Sequence, residues 1–197
     1  MPEPAVICLH MNVLPLAEKV ASLCKGKVHG LQNRVIGAEV EFKKTTDHLR
    51  HCFLNQHSVI GICSAGILIR SLATILSDKH KDPPVLAVAE DASCVIPLLG
   101  GHHGANDLAR SIAKGIGASA AVTTVGDLRF GIALDQPPES LTLANPQNAA
   151  AFMSELLAGA KVRIEGVHPW LEQSKLPESP DGSLKIKLTH KRIKGSS

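Results

Sequence analysis

Aromatic residues are nearly absent. The 197 residues include four Phe, one Trp and no Tyr, 3% in all. The core must therefore be built from Ala, Val, Ile and Leu, which suits helices packed on a largely parallel, doubly buried sheet. The same scarcity excludes aromatic stacking platforms for single-stranded nucleic acid. Long apolar runs are missing as well. None approaches the ~18 residues that would suggest a membrane span, so no membrane partner is expected. The five Cys are an odd number, scattered at positions 8, 24, 52, 63 and 94 with no CxxC pair. That pattern argues against a disulfide scaffold and a zinc knuckle and fits a reduced, cytoplasmic protein. Met1 is followed by Pro-Glu-Pro rather than by a charged leader and an apolar stretch, so no signal peptide is expected.

A strong charge of one sign is missing over most of the chain. Lys and Arg number 21 and Asp and Glu 18, for a formal net charge of +3. Lys185, Lys187, Lys191, Arg192 and Lys194 carry that excess with no acid nearby. The basic character therefore belongs to a tail. Nucleic-acid binding needs a wider basic face and is not expected.

What is present is 44% hydrophobic residues, arranged as short β-branched runs alternating with helical spacing. Strands are predicted over Ala5 to Leu9, Glu39 to Phe42, Val59 to Cys63, Val85 to Val88, Val95 to Leu99 and Ala120 to Thr124. Helices are predicted over Val13 to Leu23, Asp47 to Leu54, Ile67 to Leu76 and Asp107 to Ile116. This β-α alternation predicts an α/β fold with an open, doubly wound, mainly parallel sheet. After Phe130 the character shifts. Gln136-Pro137-Pro138-Glu139 reads as a linker, a helix is expected over Gln147 to Leu157, and alternating runs at Lys161 to Glu165 and Ser183 to Thr189 read as strands. The expected organisation is an α/β domain over 1–135 and a smaller α/β second lobe over 136–197.

Two loops share one design, an apolar strand running into a small-residue turn and then a helix. One holds Ser64, Ala65 and Gly66 after Val59 to Cys63. The other holds Gly100, Gly101, His102, His103, Gly104, Ala105 and Asn106 after Val95 to Leu99. Glycines let backbone amides approach a ligand, and helix N-termini point partly positive amides at anions. In an open α/β sheet both loops are expected at the carboxyl ends of strands, where ligands bind. The strand-end loop with Thr123 and Thr124 is expected to join them. The ligand this suggests carries several carboxylates or phosphates. Gly-rich turns also occur without any ligand, and neither loop matches the dinucleotide or phosphate-loop patterns.

His102-His103 is the most unusual feature, because histidine serves as general acid, base or metal ligand near neutral pH. Asn106 is read as a helix cap or a ligand hydrogen bond, with the cap favoured because Asp107 also suits the helix dipole. Glu90-Asp91 can supply a base or can be ordinary turn residues. His48, His51 and Cys52 lie at metal-binding helical spacing, but a solvated helix face is the simpler reading, so no metal site is expected. Arg70, within an apolar helix, is expected to pair with a buried acid or a substrate carboxylate.

The run VIPLLGGHHGANDLARSIAKGIGASAAVTT (Val95 to Thr124), preceded by GICSAGILIRSLATILSDKHKDPPVLAVAEDASCVIPLLGG (Gly61 to Gly101), resembles the cobalamin biosynthesis protein CbiG family, the cobalt-precorrin-5A hydrolases. Leu157 to Arg163, followed by a Pro-rich loop, looks like that family's middle region. The resemblance implies a role in vitamin B12 synthesis and a cobalt-precorrin tetrapyrrole as substrate, whose δ-lactone is opened with release of acetaldehyde. It implies no separate cofactor, since the substrate carries the cobalt. For that reaction a base is expected at His102 or His103, oriented by Glu90 or Asp91, with amides of the Gly100 to Gly104 loop stabilising the oxyanion. Ser64, Ala65, Gly66, Gly100, Gly101, Gly104, Asn106, Thr123 and Thr124 would bind substrate. Family members continue into a further carboxy-terminal domain, so the chain reads as a short form or a fragment. The alternative is a non-catalytic tetrapyrrole-binding domain of a precorrin-3B C17-methyltransferase fusion, or a partner of other corrin-pathway enzymes. A third reading is an unrelated metal-dependent hydrolase using His102, His103 and an acid.

Overall fold

The computed structural model describes residues 2–79, 81–135, 137–138 and 140–189. The tail cations Lys191, Arg192 and Lys194, and Gln136 and Glu139 of the expected linker, lie outside the described residues. The chain forms two compact units, Met1–Val122 and Thr123–Ser197. The division thus falls earlier than the Pro-rich stretch at Pro137 that the sequence suggested.

In the first unit the elements run β1 (Ala5–Cys8), α1 (Leu14–Cys24), β2 (Lys27–Leu31), β3 (Val40–Phe42), α2 (Thr45–Leu54), β4 (Val59–Ile62), α3 (Ala65–Leu72), β5 (Val85–Val88), β6 (Cys94–Leu99), α4 (Ala105–Ile116) and β7 (Ser119–Ala120). The strands form one seven-stranded sheet in the order β3-β2-β1-β4-β5-β6-β7. Neighbours are parallel except β5 and β6, which are antiparallel.

All four residues of β1, β4 and β5 are buried, because successive side chains of each strand enter different cores. On one face Val6, Cys8, Ile60, Ile62, Leu86 and Val88 meet Ala17 and Val20 of α1 and Ala105, Ala109 and Ile112 of α4. On the other, Ala5, Ile7, Val59, Val85 and Ala87 meet Leu49, Cys52 and Phe53 of α2 and Leu68 and Leu72 of α3. Helices thus cover both faces, and the sheet is doubly wound. Each buried Leu or Ile stabilises the fold by about 1.5–3 kcal/mol. The small Ala residues at helical spacing along α4 let that helix lie close to the sheet.

The winding direction reverses between β1 and β4. From β1 the chain passes through α1 to β2 on one side, and from β4 through α3 to β5 on the other. In such sheets this reversal opens a crevice at the carboxyl ends of the two strands.

In the second unit α5 (Val125–Phe130), α6 (Ala149–Leu157), β8 (Val162–Glu165), α7 (Pro169–Glu172) and β9 (Leu184–Lys187) follow. β8 and β9 are a parallel pair. Phe130, Ile132, Leu156, Val162, Leu171 and Leu184 form the core of this unit. Among the described residues no helix is long and apolar enough to cross a membrane.

Candidate active site

The carboxyl ends of β1, β4 and β5 bring together His10, the Cys63–Gly66 turn and Glu90. His10 lies two residues past the end of β1 and caps a 3-10 turn over Met11–Val13. The Cys8 thiol donates to the His10 carbonyl at 3.2 Å. His10 Nε2 lies 3.9 Å from Glu90 Oε1, with the two side chains 48% and 52% exposed. That pair stands open to solvent beside the point of reversal.

Ser64 is the N-cap of α3, exposed, and its hydroxyl makes no capping bond. The Ile67 amide donates to the Ser64 carbonyl at 2.9 Å. A Cβ on Gly66 would lie 3.6 Å from both Arg70 Nη1 and Ser64 Oγ. The Arg70 guanidinium therefore folds back over the first turn of α3, the direction in which helical side chains lean. Arg70 is exposed rather than paired inside the core. A hydroxyl, a guanidinium and the positive end of a helix dipole share one turn, a combination suited to a carboxylate.

Cys63 is 5% exposed at the base of this turn. Burial, and then the charge of Glu90, pushes its thiol up to about 11, so it stays a neutral thiol at neutral pH. Asp91 has a different job from Glu90. Its Oδ1 accepts the Ser93 amide at 3.0 Å, and hydrogen bonding from Ser93 holds the carboxyl below its usual range. It staples the Ala89–Ser93 turn between β5 and β6, the ordinary turn role.

The histidine loop lies elsewhere. Because β6 runs antiparallel to β5, pairing Leu99 with Val85, its carboxyl end reaches the amino edge of the parallel strands. A Cβ on Gly100 would come 2.5 Å from Pro84 N, just before β5. Gly100 through Gly104 are thus separated from Glu90 by the length of β5, at least ~10 Å at the rise of a strand. The expectation that both loops share one edge, and that Glu90 or Asp91 orients His102 or His103, is corrected by this reversal.

The glycines of that loop have a backbone reason to be there. Gly100 and Gly104 sit at φ +75 and +82 on either side of a 3-10 turn over Gly101–His103. The His103 and Ala105 amides donate to the Gly100 carbonyl at 2.8 and 3.2 Å, and the Gly104 amide to Gly101 at 3.3 Å. These amides close the turn on itself. The His102 side chain lies outside the described structure, and His103 is half-buried. Asn106 is 7% exposed inside the first turn of α4, where the N-cap is Gly104 rather than Asn106. Asp107 pairs with Arg110 at 2.9 Å.

Thr123 and Thr124 open the second unit. The predicted strand there shrinks to Ser119–Ala120, and the Thr124 carbonyl instead accepts the Leu128 amide at 3.1 Å as α5 begins.

A second cluster lies between β2 and α2. His48 and Cys52 do not belong to a solvated helix face. They turn inward while His51 stays exposed. His29 Nδ1 lies 2.8 Å from His48 Nε2, and Cys52 Sγ lies 3.6 Å from the same nitrogen. The Phe42 ring stacks on His48 at 4.4 Å and 2°. Burial, followed by the nearby His48 and His57, pulls His29 down to about 4. Burial pushes Cys52 up to about 11.

Sequence reading singled out neither His10 nor His29. His10 carried a usable signal, since it directly follows a predicted strand. His29 did not, because Lys27–Leu31 reads KVHGL, too polar and glycine-diluted to register as a strand.

Residues 47–127 match the family described as cobalamin synthesis G N-terminal. A cobalt-precorrin-5A hydrolase of Salmonella typhimurium is 33% identical over 162 residues, 80% of this chain and 43% of that protein. A cobalt-precorrin-5A hydrolase of Priestia megaterium is 37% identical over 84 residues, 42% of this chain and 22% of that protein. The chain thus spans less than half the length of these curated relatives. A solved structure of a putative cobalamin biosynthesis protein G homolog from Sulfolobus solfataricus superposes at TM-score 0.48 and 18% identity, covering 84% of this chain and 49% of that one.

Proposed function

From a chain whose residues 47–127 match the family described as cobalamin synthesis G N-terminal, we propose the tetrapyrrole-binding part of a cobalt-precorrin-5A hydrolase. The observation that carries this reading is the 33% identity to a protein of that name over 80% of the chain. The geometry of the first unit supports it. A tetrapyrrole with acetate and propionate arms is a polycarboxylate, and the crevice between β1 and β4 offers Ser64, Arg70 and the N-terminus of α3 to such an arm.

The substrate carries its own cobalt and a δ-lactone. In the proposed reaction water adds to the lactone carbonyl and the ring ester bond breaks to a carboxylate and a hydroxyl. That hydroxyl then gives up its proton and becomes the carbonyl of acetaldehyde as the carbon–carbon bond to the macrocycle breaks, and the ring carbon left behind takes up a proton. His10 takes the proton of the attacking water, and Glu90 supports the imidazolium that forms. The pair stands 3.9 Å apart, and catalytic hydrogen bonds of this kind tighten once substrate is bound. His102 and His103 are the competing bases, at the other edge of the sheet.

The test is to incubate the purified chain with cobalt-precorrin-5A, assay acetaldehyde and titrate binding in parallel. Saturable binding that weakens in Ser64→Ala and Arg70→Ala supports the cradle. Acetaldehyde formed in proportion to protein places the chemistry within these residues. Binding without acetaldehyde leaves the cradle and assigns the chemistry to sequence beyond this chain. No binding overturns the proposal.

A further inference from the structure

We propose that His29, His48 and Cys52 form a binding site for a borderline-soft divalent transition metal, with zinc as the closest chemical match. This site lies outside the crevice and does not depend on the hydrolase reading. Its three donors come from two elements that the core holds together. His29 sits in the middle of β2, in register with Ile7 and Val40. His48 and Cys52 are one helical turn apart on the inner side of α2, beside Leu49 and Phe53 of the core. One ligand atom from each of the three lies within 4.8 Å of the others.

The spacing lets a metal enter with little rearrangement of the three donors. Zinc bonds of ~2.0–2.1 Å to nitrogen and ~2.3 Å to sulfur at tetrahedral angles put N and S ~3.6 Å apart and two N atoms ~3.3 Å apart. His48 Nε2 and Cys52 Sγ stand at 3.6 Å. His29 Nδ1 and His48 Nε2 stand at 2.8 Å, a hydrogen bond. An ion entering between them would open that pair by ~0.5 Å to reach the same geometry.

The donor set selects the class of ion. Two imidazoles and a thiolate suit zinc, cobalt or copper and disfavour magnesium and calcium, which take oxygen. Cys52 and His29 are buried, while His48 is partly exposed and gives a route in. Three protein donors leave a fourth position for water, an open site rather than a closed structural one. The Phe42 ring parallel to His48 fixes the plane of that imidazole.

The proton balance is simple. The proton shared by the two imidazoles shifts to a ring nitrogen that faces away from the ion. The Cys52 S–H bond breaks, the sulfur bonds to the ion, and one proton leaves to solvent.

The test uses the full chain without an affinity tag, stripped of metal. Titration with Co2+ alone is expected to saturate at one ion per chain, with visible bands of a tetrahedral ion and a near-ultraviolet thiolate-to-cobalt band. Zn2+ added afterwards should displace the cobalt and bleach both. Cys52→Ser should lose the thiolate band and weaken binding by on the order of 100-fold, while His51→Gln and Cys24→Ser should keep both. His29→Asn should also weaken binding. Should that variant fold poorly by circular dichroism, the wild-type Tm takes its place and must rise with Zn2+ in a way that Cys52→Ser does not. Absence of stoichiometric binding in the wild type overturns the proposal. So does a thiolate band that survives in Cys52→Ser.

Discussion

Glu90 and His10 meet across the carboxyl ends of β5 and β1, Oε1 to Nε2 at 3.9 Å, although the sheet places β4 between their strands. Both groups extend past the ends of their strands, and Glu90 lies near enough to Cys63 for its charge to raise that thiol. A base and a carboxylate held over an anion cradle form the working centre of the proposed hydrolysis.

The first prediction follows from that placement. His10→Ala should lower turnover by ~100-fold or more, the usual contribution of a general base, and Glu90→Gln by less. Ser64→Ala should act mainly on KM, since it removes a contact made before and during reaction alike. The double variant His102→Ala/His103→Ala should stay within a few-fold of wild type. Acetaldehyde assays on the four proteins decide the matter. Loss of turnover confined to the double variant would move the chemistry to the amino edge.

Two glycines of the histidine loop should differ in what they tolerate. Both have positive φ, which costs an L-residue about 1–2 kcal/mol. At Gly104 a Cβ meets nothing within 4 Å, whereas at Gly100 it meets the Pro83 and Pro84 backbone at 2.5–2.6 Å. Gly104→Ala should therefore lose only the backbone cost. Gly100→Ala should lose that and a few kcal/mol more, since backbone cannot move aside cheaply. Urea unfolding of the two variants measures the difference, and equal losses would show that the Pro83-Pro84 turn can shift.

The α3 helix offers a matched pair. Leu68 is fully buried and Ile69 is 53% exposed. Leu68→Ala should cost about 2–5 kcal/mol through lost burial and a residual cavity. Ile69→Ala should stay within ~0.5 kcal/mol of wild type. Chemical denaturation read by circular dichroism separates them.

Thiol chemistry reads the same core. Cys63 is pushed up to about 11 by burial and the Glu90 charge, and Cys8 is raised chiefly by burial. At pH 8 the Cys63 thiol is ~0.1% thiolate, against roughly a quarter for an unperturbed cysteine. Alkylation of Cys63 in the folded chain should therefore be slower than in urea by two orders of magnitude or more, and should accelerate as pH rises toward 10. Mass mapping after timed quenching measures it. Equal rates folded and unfolded would mean that the end of β4 opens freely.

The strand and helix alternation was enough to read a doubly wound sheet, because β1, β4 and β5 are apolar on both sides and the helices carry their apolar residues at helical spacing. What the pattern does not encode is direction. Val95 to Leu99 reads as a strand, yet nothing in its periodicity tells antiparallel from parallel. The signal lay in the connection. Only Ala89 to Ser93 separate β5 from β6, and a parallel crossover needs a dozen residues or more. That linker alone forces a hairpin and sends His103 to the edge opposite Ser64. The His29 cluster was hidden for another reason. Gly30 lies where a Cβ would strike Ala38 and Val35 at 2.6 and 2.9 Å, so close packing demanded a residue that weakens the strand signal. With β2 unread, His48 and Cys52 had no partner to face.

The second unit carries its own pH signature. Glu165 on β8 lies diagonal to Lys185 on β9, with Nζ to Oε1 at 2.6 Å, and Arg163 Nη2 stands 3.5 Å away. The hydrogen bond from Lys185 comes first among the causes that hold the Glu165 carboxyl below its usual range. A carboxyl depressed in the folded state stabilises the fold above the unfolded carboxyl's range, and that contribution disappears as pH falls through the folded value. The window is therefore acidic, and stability near neutral pH should not respond to it. Both partners are well exposed, 44% for Lys185 and 37% for Glu165, so salt should weaken the pair. Carboxyl-carbon NMR titration should place Glu165 below an ordinary glutamate, and Lys185→Ala should raise it toward 4.5. An unchanged Glu165 titration in that variant would show that Arg163, rather than the cross-strand lysine, holds the charge.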